Sequence, residues 1–267
     1  MRILMIGDVV GRGGRQAVAL LLPQLRRARA IDFVVANGEN AAGGRGLTPR
    51  TAAELFEAGV DVITSGNHIW NQREIVPYLE NEARVLRPLN YPPGVPGHGH
   101  VIHRDVLVIN LIGRVFLGNF EEPFRRVDEL LAGLSYRPVV TVVDFHAEAT
   151  SEKVLAGWYL DGRVSAVFGT HTHVPTCDTR VLPQGTAHVS DVGMVGPLNS
   201  VLGVEPERIR AHLTTLLPAR FTLAGGPVSF NSVLVEVDEA SGRAVSVERV
   251  DRVVDVEKAL AGKDDDE

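Results

Sequence analysis

The chain has 267 residues, which is enough for one large domain or two small ones. Hydrophobic residues make up 45% of it and charged residues 22%, a composition typical of soluble globular proteins. The formal net charge of -6 leaves no basic field to hold long nucleic acid. It does not exclude a small phosphorylated ligand, because a bound metal ion can supply positive charge locally.

The sequence predicts a cytoplasmic protein that has no membrane partner. Its single cysteine, Cys177, excludes an internal disulfide and fits a reducing compartment. The apolar N-terminal segment reaches Asp8 too early for a signal peptide, and the run AVALLLPQL is too short to cross a bilayer. We expect one domain over residues 1–260, followed by an acidic C-terminal tail over residues 261–267.

Short apolar runs rich in β-branched residues predict strands that are buried on both faces. They cover residues 2–6, 32–36, 61–64, 101–111, 139–143 and 164–168. Helical patterns lie between many of these runs, and residues 232–250 are typical of an antiparallel hairpin. The alternation predicts an α/β domain whose sheets are covered by helices.

Three helices have recognisable beginnings or faces. Residues 14–29 place their apolar side chains on one side, as an amphipathic helix does. Thr48 is expected to cap the next helix, with Pro49 at its first position. A third helix is expected to be capped by Thr150 or Ser151.

Polar clusters follow five of the predicted strands. They are Gly7-Asp8, Asn37-Gly38-Glu39-Asn40, Ser65-Gly66-Asn67-His68, Asp144-Phe145-His146 and Gly169-Thr170-His171-Thr172-His173. Each cluster alone is compatible with a turn, a helix cap or a buried histidine. Because ligands of α/β sheets bind at the carboxyl ends of strands, we expect the five clusters to form one site.

The residue types in these clusters favour a metal site. Carboxylates, amide oxygens and imidazoles without a thiolate cluster are suitable ligands for Mn, Fe or Zn. They do not form the thiolate-rich type of site that is typical of a structural zinc. The candidates are too many for one ion, whereas two ions about 3.5–4 Å apart that share a carboxylate would use them all. Such a pair commonly holds the attacking and leaving oxygens of a phosphoryl transfer.

The order of the motifs resembles that of the calcineurin-like metallophosphoesterases. GDVVGR, NGENAAGGRG, SGNHIW, DFHAEATSEK and GTHTHVPT are similar to the YmdB-like subgroup, and the resemblance runs from residue 1 to about residue 250. That subgroup is described as 2′,3′-cyclic-nucleotide 2′-phosphodiesterases. The resemblance implies a four-layer α/β/β/α sandwich with two divalent or trivalent transition-metal ions, Fe or Mn, and a small phosphodiester such as a cyclic nucleotide as substrate.

The resemblance also implies residue roles. The ligands of the first ion would be Asp8, Glu39, Asn40 and His173, and those of the second Glu39, Asn67, His146 and His171. Glu39 would bridge the ions, and His68 matches the proton donor of the family. A metal-activated hydroxide would attack phosphorus, and the imidazolium of His68 would protonate the leaving alkoxide.

Two positions depart from the broader superfamily. Val10 stands where that superfamily has a histidine, and Glu39 stands where it has an aspartate. Both departures agree with the YmdB-like subgroup, in which the asparagine after the glutamate completes the first metal site. They weaken a generic phosphatase assignment and favour the subgroup.

Other functions stay open at this point. The same fold could act on phosphomonoesters, or the chain could be a non-catalytic, metal-bearing regulatory protein that binds a partner. GDVVGRGGRQ also resembles a dinucleotide-binding fingerprint, but Gln16 occupies the place of the third glycine and the histidines would have no role. The sequence leaves homo-oligomer formation open.

Several further residues are secondary candidates. Asp144 and Asp191 could orient imidazoles, and Thr150, Ser151 and Thr172 could contact phosphate or support the ligands. The histidines outside the clusters are expected on the surface or in loops: His98, His100, His103, His188 and His212.

Overall fold

Fifteen strands form three sheets within residues 1–264, the part of the chain that the computed structural model describes. The strands of the N-terminal part are β1 (Arg2–Ile6), β2 (Asp8–Val9), β3 (Phe33–Asn37), β4 (Val62–Thr64), β5 (His100–His103), β6 (Val106–Ile112), β7 (Val140–His146) and β8 (Ala166–Thr170). The later strands are β9 (Arg180–Val181), β10 (Ala187–Val189), β11 (Met194–Pro197), β12 (Val228–Phe230), β13 (Ser232–Val237), β14 (Ala244–Arg249) and β15 (Arg252–Val254).

Seven α-helices accompany the strands in the described residues. They are α1 (Gly11–Ala28), α2 (Pro49–Glu57), α3 (Ile75–Asn81), α4 (Pro123–Gly133), α5 (Thr150–Leu160), α6 (Pro206–Thr215) and α7 (Val256–Asp264). A short 3₁₀ helix covers Ile69–Asn71. No helix in the described part of the chain is both long and apolar enough to cross a membrane.

The two large sheets combine parallel and antiparallel strands. The first has the order β14-β13-β1-β3-β4, in which β1, β3 and β4 are parallel and β13 is antiparallel to β1. The second has the order β5-β6-β7-β8-β10-β9, with β6, β7, β8 and β10 parallel. The parallel strands of each sheet therefore end at a common edge, where α/β proteins bind ligands.

A four-stranded sheet, β15-β12-β11-β2, receives the chain directly after β1. The chain passes from the first sheet to this one at Gly7. A Cβ atom on Gly7 would overlap the carbonyl oxygen of Gly193. The close backbone approach at Gly7 explains why a residue without a side chain precedes Asp8.

Apolar side chains cover both faces of the large sheets. One cluster contains side chains from both sheets, including Met5 and Val35 from the first and Val142 and Phe168 from the second. Alternate residues of the same strands belong to two other clusters, because successive strand side chains point to opposite faces. Those clusters include Val18 and Leu55 from α1 and α2, and Val127 and Ala156 from α4 and α5.

The structure corrects one predicted strand. The predicted strand over residues 101–111 is two antiparallel strands, β5 and β6. Arg104 and Asp105 turn the chain between them with φ of 48° and 61°, the left-handed values that a two-residue hairpin turn requires. Neither residue is a glycine, so the usual sequence signal for this turn was absent.

Helix beginnings were predicted with mixed success. Thr48 caps α2 as predicted, and its side chain accepts a hydrogen bond from the backbone N of Thr51. The prediction for α5 was wrong: Ala149 stands at the cap and makes no side-chain hydrogen bond, and Thr150 already lies inside the helix. Helix α1 begins at Gly11, three residues before the predicted start.

The predicted tail falls partly within helix α7, which reaches residue 264. Residues 265–267, the rest of the predicted acidic tail, lie outside the described part of the chain. His188 also differs from expectation, because it is buried within β10.

Candidate metal centre

The polar clusters lie at strand ends of both large sheets, as expected. Asp8 lies two residues after the end of β1, where it begins β2. Glu39 and Asn40 follow β3, and Asn67 and His68 follow β4. In the other sheet His146 is the last residue of β7, and His171 and His173 follow β8. The side-chain contacts described next connect these ends across the two sheets.

His146 is the centre of the contacts. Its Nε2 atom lies 3.1 Å from Glu39 Oε1, 3.1 Å from Asn67 Oδ1 and 3.0 Å from His171 Nδ1. The ends of four strands therefore each bring one atom that can bind a metal to the same small volume. These are the four residues that the resemblance assigned to the second ion.

The other ring nitrogen of His146 indicates its tautomer. Nδ1 lies 2.9 Å from the hydroxyl of Thr170, which donates its own proton to Asp144 Oδ1 at 2.7 Å. The Thr170 oxygen can therefore accept a hydrogen bond from the Nδ1–H group of His146. When the ring is neutral and carries its proton on Nδ1, the Nε2 atom presents a lone pair to the atoms around it, as a metal-binding histidine does.

The residues present fit a cation at this point. Nε2 of His146 faces a carboxylate oxygen and an amide oxygen, which is unfavourable unless positive charge lies between these atoms. A proton on Nε2 supplies that charge in the imidazolium form, and a metal ion can take the place of this proton. Glu39, His146 and His171 offer ligand atoms that all lie within 4.8 Å of one another. A Cβ atom on Gly66 would overlap the His146 ring and lie 2.5 Å from Glu39 Oε2, so the glycine keeps the space beside these ligands free.

A second group of ligands adjoins the first. Asp8 is fully buried, and its Oδ2 atom accepts a hydrogen bond from the backbone N of His171 at 3.1 Å. Its Oδ1 atom has no hydrogen-bond partner among the described residues, and His173 Nε2 lies 3.9 Å away. The buried Oδ1 of Asn40 also lacks a partner there, while its Nδ2 donates to the carbonyl of Gly44. Buried oxygens without donors are uncommon, and a cation would satisfy both.

The loop that carries His171 and His173 has an unusual backbone. The two residues have φ of 96° and 64°, in the left-handed region that non-glycine residues seldom adopt. The two imidazoles therefore do not project as alternate side chains of an extended strand would. Neighbouring side chains must hold this conformation, because each left-handed residue costs about 1 kcal/mol or more.

Asp191 and Lys153 hold the middle of this loop. Asp191 Oδ2 accepts hydrogen bonds from the backbone N of Thr172 at 3.1 Å and from its hydroxyl at 2.6 Å. Lys153 Nζ donates to the same carboxylate oxygen at 2.7 Å and to the Thr172 hydroxyl at 3.1 Å. The ion pair thus fixes Thr172, which stands between the two candidate ligands.

Burial and neighbouring charges shift the pKa values of the candidate ligands. Burial raises the pKa of Glu39, but the charge of His146 and its hydrogen bond outweigh this and hold that pKa at about 2. Burial lowers the pKa of His146, and Glu39 in turn raises it to about 9. Burial, helped by the charge of His146, lowers the pKa of His171 to about 3.

Asp8 behaves differently from Glu39. Burial raises the pKa of Asp8 to about 7, against the opposing charges of His173 and His146. A buried carboxyl with so few donors is poorly stabilised as an anion. A cation in contact with its Oδ1 atom would restore the charged form, which agrees with a ligand role.

His68 lies beside the ligands without being enclosed by them. Its backbone N donates to Glu39 Oε2 at 3.1 Å, and its ring Nε2 lies 3.4 Å from Asn67 Nδ2. The side chain is partly exposed. Burial lowers the pKa of His68, which Glu39 counteracts. The imidazole can therefore reach a ligand placed over the carboxylate while it remains open to solvent.

Sequence reasoning missed two residues of the site. Glu148 Oε2 lies 3.0 Å from His171 Nε2, and Lys153 joins Asp191 as described above. Both occur in DFHAEATSEK, but a glutamate after a strand and a lysine in a helix usually face solvent. The secondary candidates gave mixed results: Asp144 reaches His146 through Thr170, and Asp191 contacts Thr172 instead of an imidazole.

Comparison with known proteins finds relatives that match nearly the whole chain. The chain is 46% identical over 254 residues to a 2′,3′-cyclic-nucleotide 2′-phosphodiesterase of Bacillus subtilis (strain 168), covering 94% of this chain and 96% of that protein. A crystal structure of a hypothetical protein from Thermus thermophilus matches with a TM-score of 0.89 and 44% identity, covering 95% of this chain and 99% of that one. A crystal structure of a novel phosphatase from Mycoplasma pneumoniae matches with a TM-score of 0.90 and 33% identity, covering 98% and 96%.

The family assignment rests on nearly the whole chain. A model of the YmdB-like protein family matches residues 4–250, which include every candidate ligand. The relatives cover the chain to the same extent, so the match is not confined to one motif. The resemblance seen in the sequence motifs is thereby confirmed, and the chain belongs to the YmdB-like protein family.

Proposed function

We propose that the protein is a di-metal phosphodiesterase that hydrolyses small phosphate diesters, with 2′,3′-cyclic nucleotides as the favoured substrates. The observation that carries this proposal is the convergence of Glu39, Asn67 and His171 on Nε2 of His146. Relatives named phosphodiesterase and phosphatase support a hydrolytic phosphoesterase. The cyclic-nucleotide substrate comes from the name of the Bacillus subtilis relative.

The proposed ligands fall into two sets that share one carboxylate. Asp8, Glu39, Asn40 and His173 would hold one ion, and the second set would be Glu39, Asn67, His146 and His171. The unpartnered oxygens of Asp8 and Asn40 support the first set. Hard oxygen ligands mixed with imidazoles suit iron or manganese. Two such ions supply positive charge to the phosphoryl oxygens and lower the pKa of a bound water.

The chain's own residues would then orient the substrate and move a proton. Glu39 lies between the backbone of His68 and the ring of His146, so it fixes both relative to the phosphate. His68 would give its proton to the leaving oxygen of the ester, a step that is typically worth about 10²–10⁴-fold in rate. Lys153 and Asp191 would keep His171 and His173 in place during turnover.

The same reasoning extends to the fold. We infer a four-layer α/β/β/α sandwich of the calcineurin-like type. The apolar cluster with residues of both large sheets and the two clusters that join those sheets to helices support this inference. In such a sandwich the edges of both sheets that carry the ligands lie side by side.

A phosphomonoesterase is the second candidate, because the Mycoplasma pneumoniae relative is described as a phosphatase. A purely regulatory, metal-bearing protein would not need a partly exposed imidazole at position 68 next to the ligands. A cytoplasmic location and a single domain over residues 1–260 remain predictions from the sequence.

The proposal can be tested by phosphorus NMR. Purified protein, first freed of metal with a chelator, would be incubated with 2′,3′-cyclic AMP, 3′,5′-cyclic AMP or adenosine 3′-monophosphate, with and without Mn²⁺ or Fe²⁺. We expect the resonance of 2′,3′-cyclic AMP to be replaced by that of a single monoester, only when metal is present. Release of inorganic phosphate from the monophosphate as the faster reaction would favour the phosphomonoesterase.

A further inference from the structure

A pocket lies beside the candidate metal centre and is separate from its ligands. It has a volume of about 390 Å³, within the range of small-molecule sites. Its walls include the side chains of Arg45, Gln72, Val204, Phe221 and Leu223 and the backbone around Gly44. None of these residues belongs to the proposed ligand sets.

One wall of the pocket is the chain segment that comes shortly after two candidate ligands of the metal centre. Residues 42–45 come shortly after Glu39 and Asn40, and Asn40 Nδ2 donates to the carbonyl of Gly44 at 2.9 Å. Gln72 Nε2 holds the same loop by donating to the carbonyl of Arg45 at 2.9 Å. The loop that presents Asn40 to a cation therefore also forms this side of the pocket.

The opposite wall is tied to the other side of the centre. Nδ1 of His173 lies 3.1 Å from the carbonyl oxygen of Leu202, and Val204 pairs with Leu223 in an isolated bridge. Leu223 closes the pocket against the first wall, since a Cβ atom on Gly44 would lie 2.9 Å from its Cδ2 atom. A ligand bound at the metal centre would thus have the pocket as a direct extension of its site.

The chemistry of the pocket fits a flat heterocycle. Phe221 is 40% exposed. Its ring packs edge-to-face against the imidazole of His212, with a centroid distance of 5.6 Å and an interplanar angle of 80°. Arg45 is exposed and forms no ion pair with any described residue. An aromatic face with a free guanidinium nearby is a combination that binds nucleobases through stacking and hydrogen bonds.

The chain also connects the pocket with the reacting group. The carboxylate of Glu39 accepts a hydrogen bond from the backbone N of His68 at 3.1 Å, and Glu39 lies three residues before Ala42, where the first wall of the pocket begins. A nucleotide whose phosphate lies beside His68 could place its base between Arg45 and Phe221.

We propose that this pocket is the nucleoside subsite and that Phe221 is the platform on which the base stacks. The inference rests on the proposed phosphodiesterase function and deepens it, because it explains how the site would select cyclic nucleotides over other small diesters. A substrate with the same cyclic phosphate but no base would lack this contact.

The test compares two cyclic phosphates that differ in the base. Phe221→Ala is expected to lower kcat/KM for 2′,3′-cyclic AMP about tenfold, as loss of one base-stacking contact does, and to leave glycerol 1,2-cyclic phosphate within about twofold. Phe221→Tyr should behave like the unmodified protein, whereas Phe221→Leu should resemble the alanine variant. Leu213→Ala, in the exposed part of α6, is the matched control and should change neither substrate.

Binding gives a readout that does not depend on turnover. By titration calorimetry, Phe221→Ala should weaken the binding of adenosine 3′-monophosphate about tenfold and leave inorganic phosphate unchanged. Equal losses for both cyclic phosphates, or no loss for either, would overturn the inference and leave the phosphodiesterase proposal intact. If the unmodified protein hydrolyses neither compound with metal supplied, the proposed function fails, and the subsite fails with it.

Discussion

Lys153 Nζ lies 2.7 Å from Asp191 Oδ2, and this ion pair is buried behind the loop that carries two candidate metal ligands. The carboxylate also binds the backbone and hydroxyl of Thr172, between His171 and His173. The left-handed conformations of the two histidines thus have a definite support, to which α5 contributes Lys153.

Replacing Lys153 should therefore affect both stability and metal binding. Lys153→Met leaves the Asp191 charge buried without a counter-ion, which is expected to lower the free energy of unfolding by about 3–5 kcal/mol. Urea denaturation measures this loss, and elemental analysis should show weaker metal retention. The matched control is Lys258→Met, since Lys258 is 86% exposed and its pair with Asp255 should contribute about 1 kcal/mol or less.

A double variant separates the charge from the packing. Lys153→Met combined with Asp191→Leu removes both charges, so it should lose less stability than the sum of the single variants. Metal retention should stay low in the double variant, because Asp191→Leu removes the carboxylate that accepts the hydrogen bonds of Thr172. Strict additivity of the two stability losses would contradict the proposed coupling.

Gly66 is expected to be indispensable for the metal centre. In Gly66→Ala the new methyl group would overlap the His146 ring, so the ring or Glu39 must move. We expect the variant to fold but to retain little metal, as measured by elemental analysis after gel filtration. Gly133→Ala at the end of α4, where a Cβ atom meets nothing within 4 Å, should keep full metal content.

His68 and Glu39 should give different results when each is replaced by alanine. His68→Ala removes the proton donor and should lower kcat about 10²–10⁴-fold while the metal content stays near two ions per chain. Glu39→Ala removes the shared ligand and should lose metal together with activity. If His68→Ala proves as active as the unmodified protein, the proton-donor role is wrong, whereas the metal assignment would stand.

The hydrogen bond behind His146 can be tested with a nearly isosteric change. Thr170→Val removes the hydroxyl that orients the Nδ1 side of the ring, and loss of such a partner typically weakens metal affinity about 10–100-fold. Competition with a fluorescent chelator measures the affinity. Thr141→Val is the control, because Thr141 is equally buried and its hydroxyl has no hydrogen-bond partner among the described residues. An equal effect of the two changes would contradict a specific role for Thr170.

The sequence predicted the strand ends of the site well, for a clear physical reason. A strand covered on both faces must be apolar, so the polar residues that follow it, such as Asn67 after β4, mark both its end and the ligand edge. The hairpin between β5 and β6 was missed because Arg104 and Asp105 adopt left-handed conformations without glycine. Local pattern cannot reveal such a turn.

Contacts between distant segments were also beyond the sequence. Lys153 looks like an ordinary helix residue until Asp191, 38 positions later, is placed against it. The pairing of β1 with β13, from opposite ends of the chain, likewise depends on tertiary packing. The same holds for the pocket at Phe221, whose walls come from segments that are far apart in the chain.

The central claim is that two metal ions, held by residues from separate strand ends, are needed for hydrolysis of a phosphodiester. It is tested most directly by titrating metal-free protein with Mn²⁺ while the hydrolysis of 2′,3′-cyclic AMP is followed. We predict no activity without metal and a rise in rate that saturates at two equivalents per chain. Full activity of the metal-free protein, or saturation of the rate before a second equivalent binds, would contradict the claim.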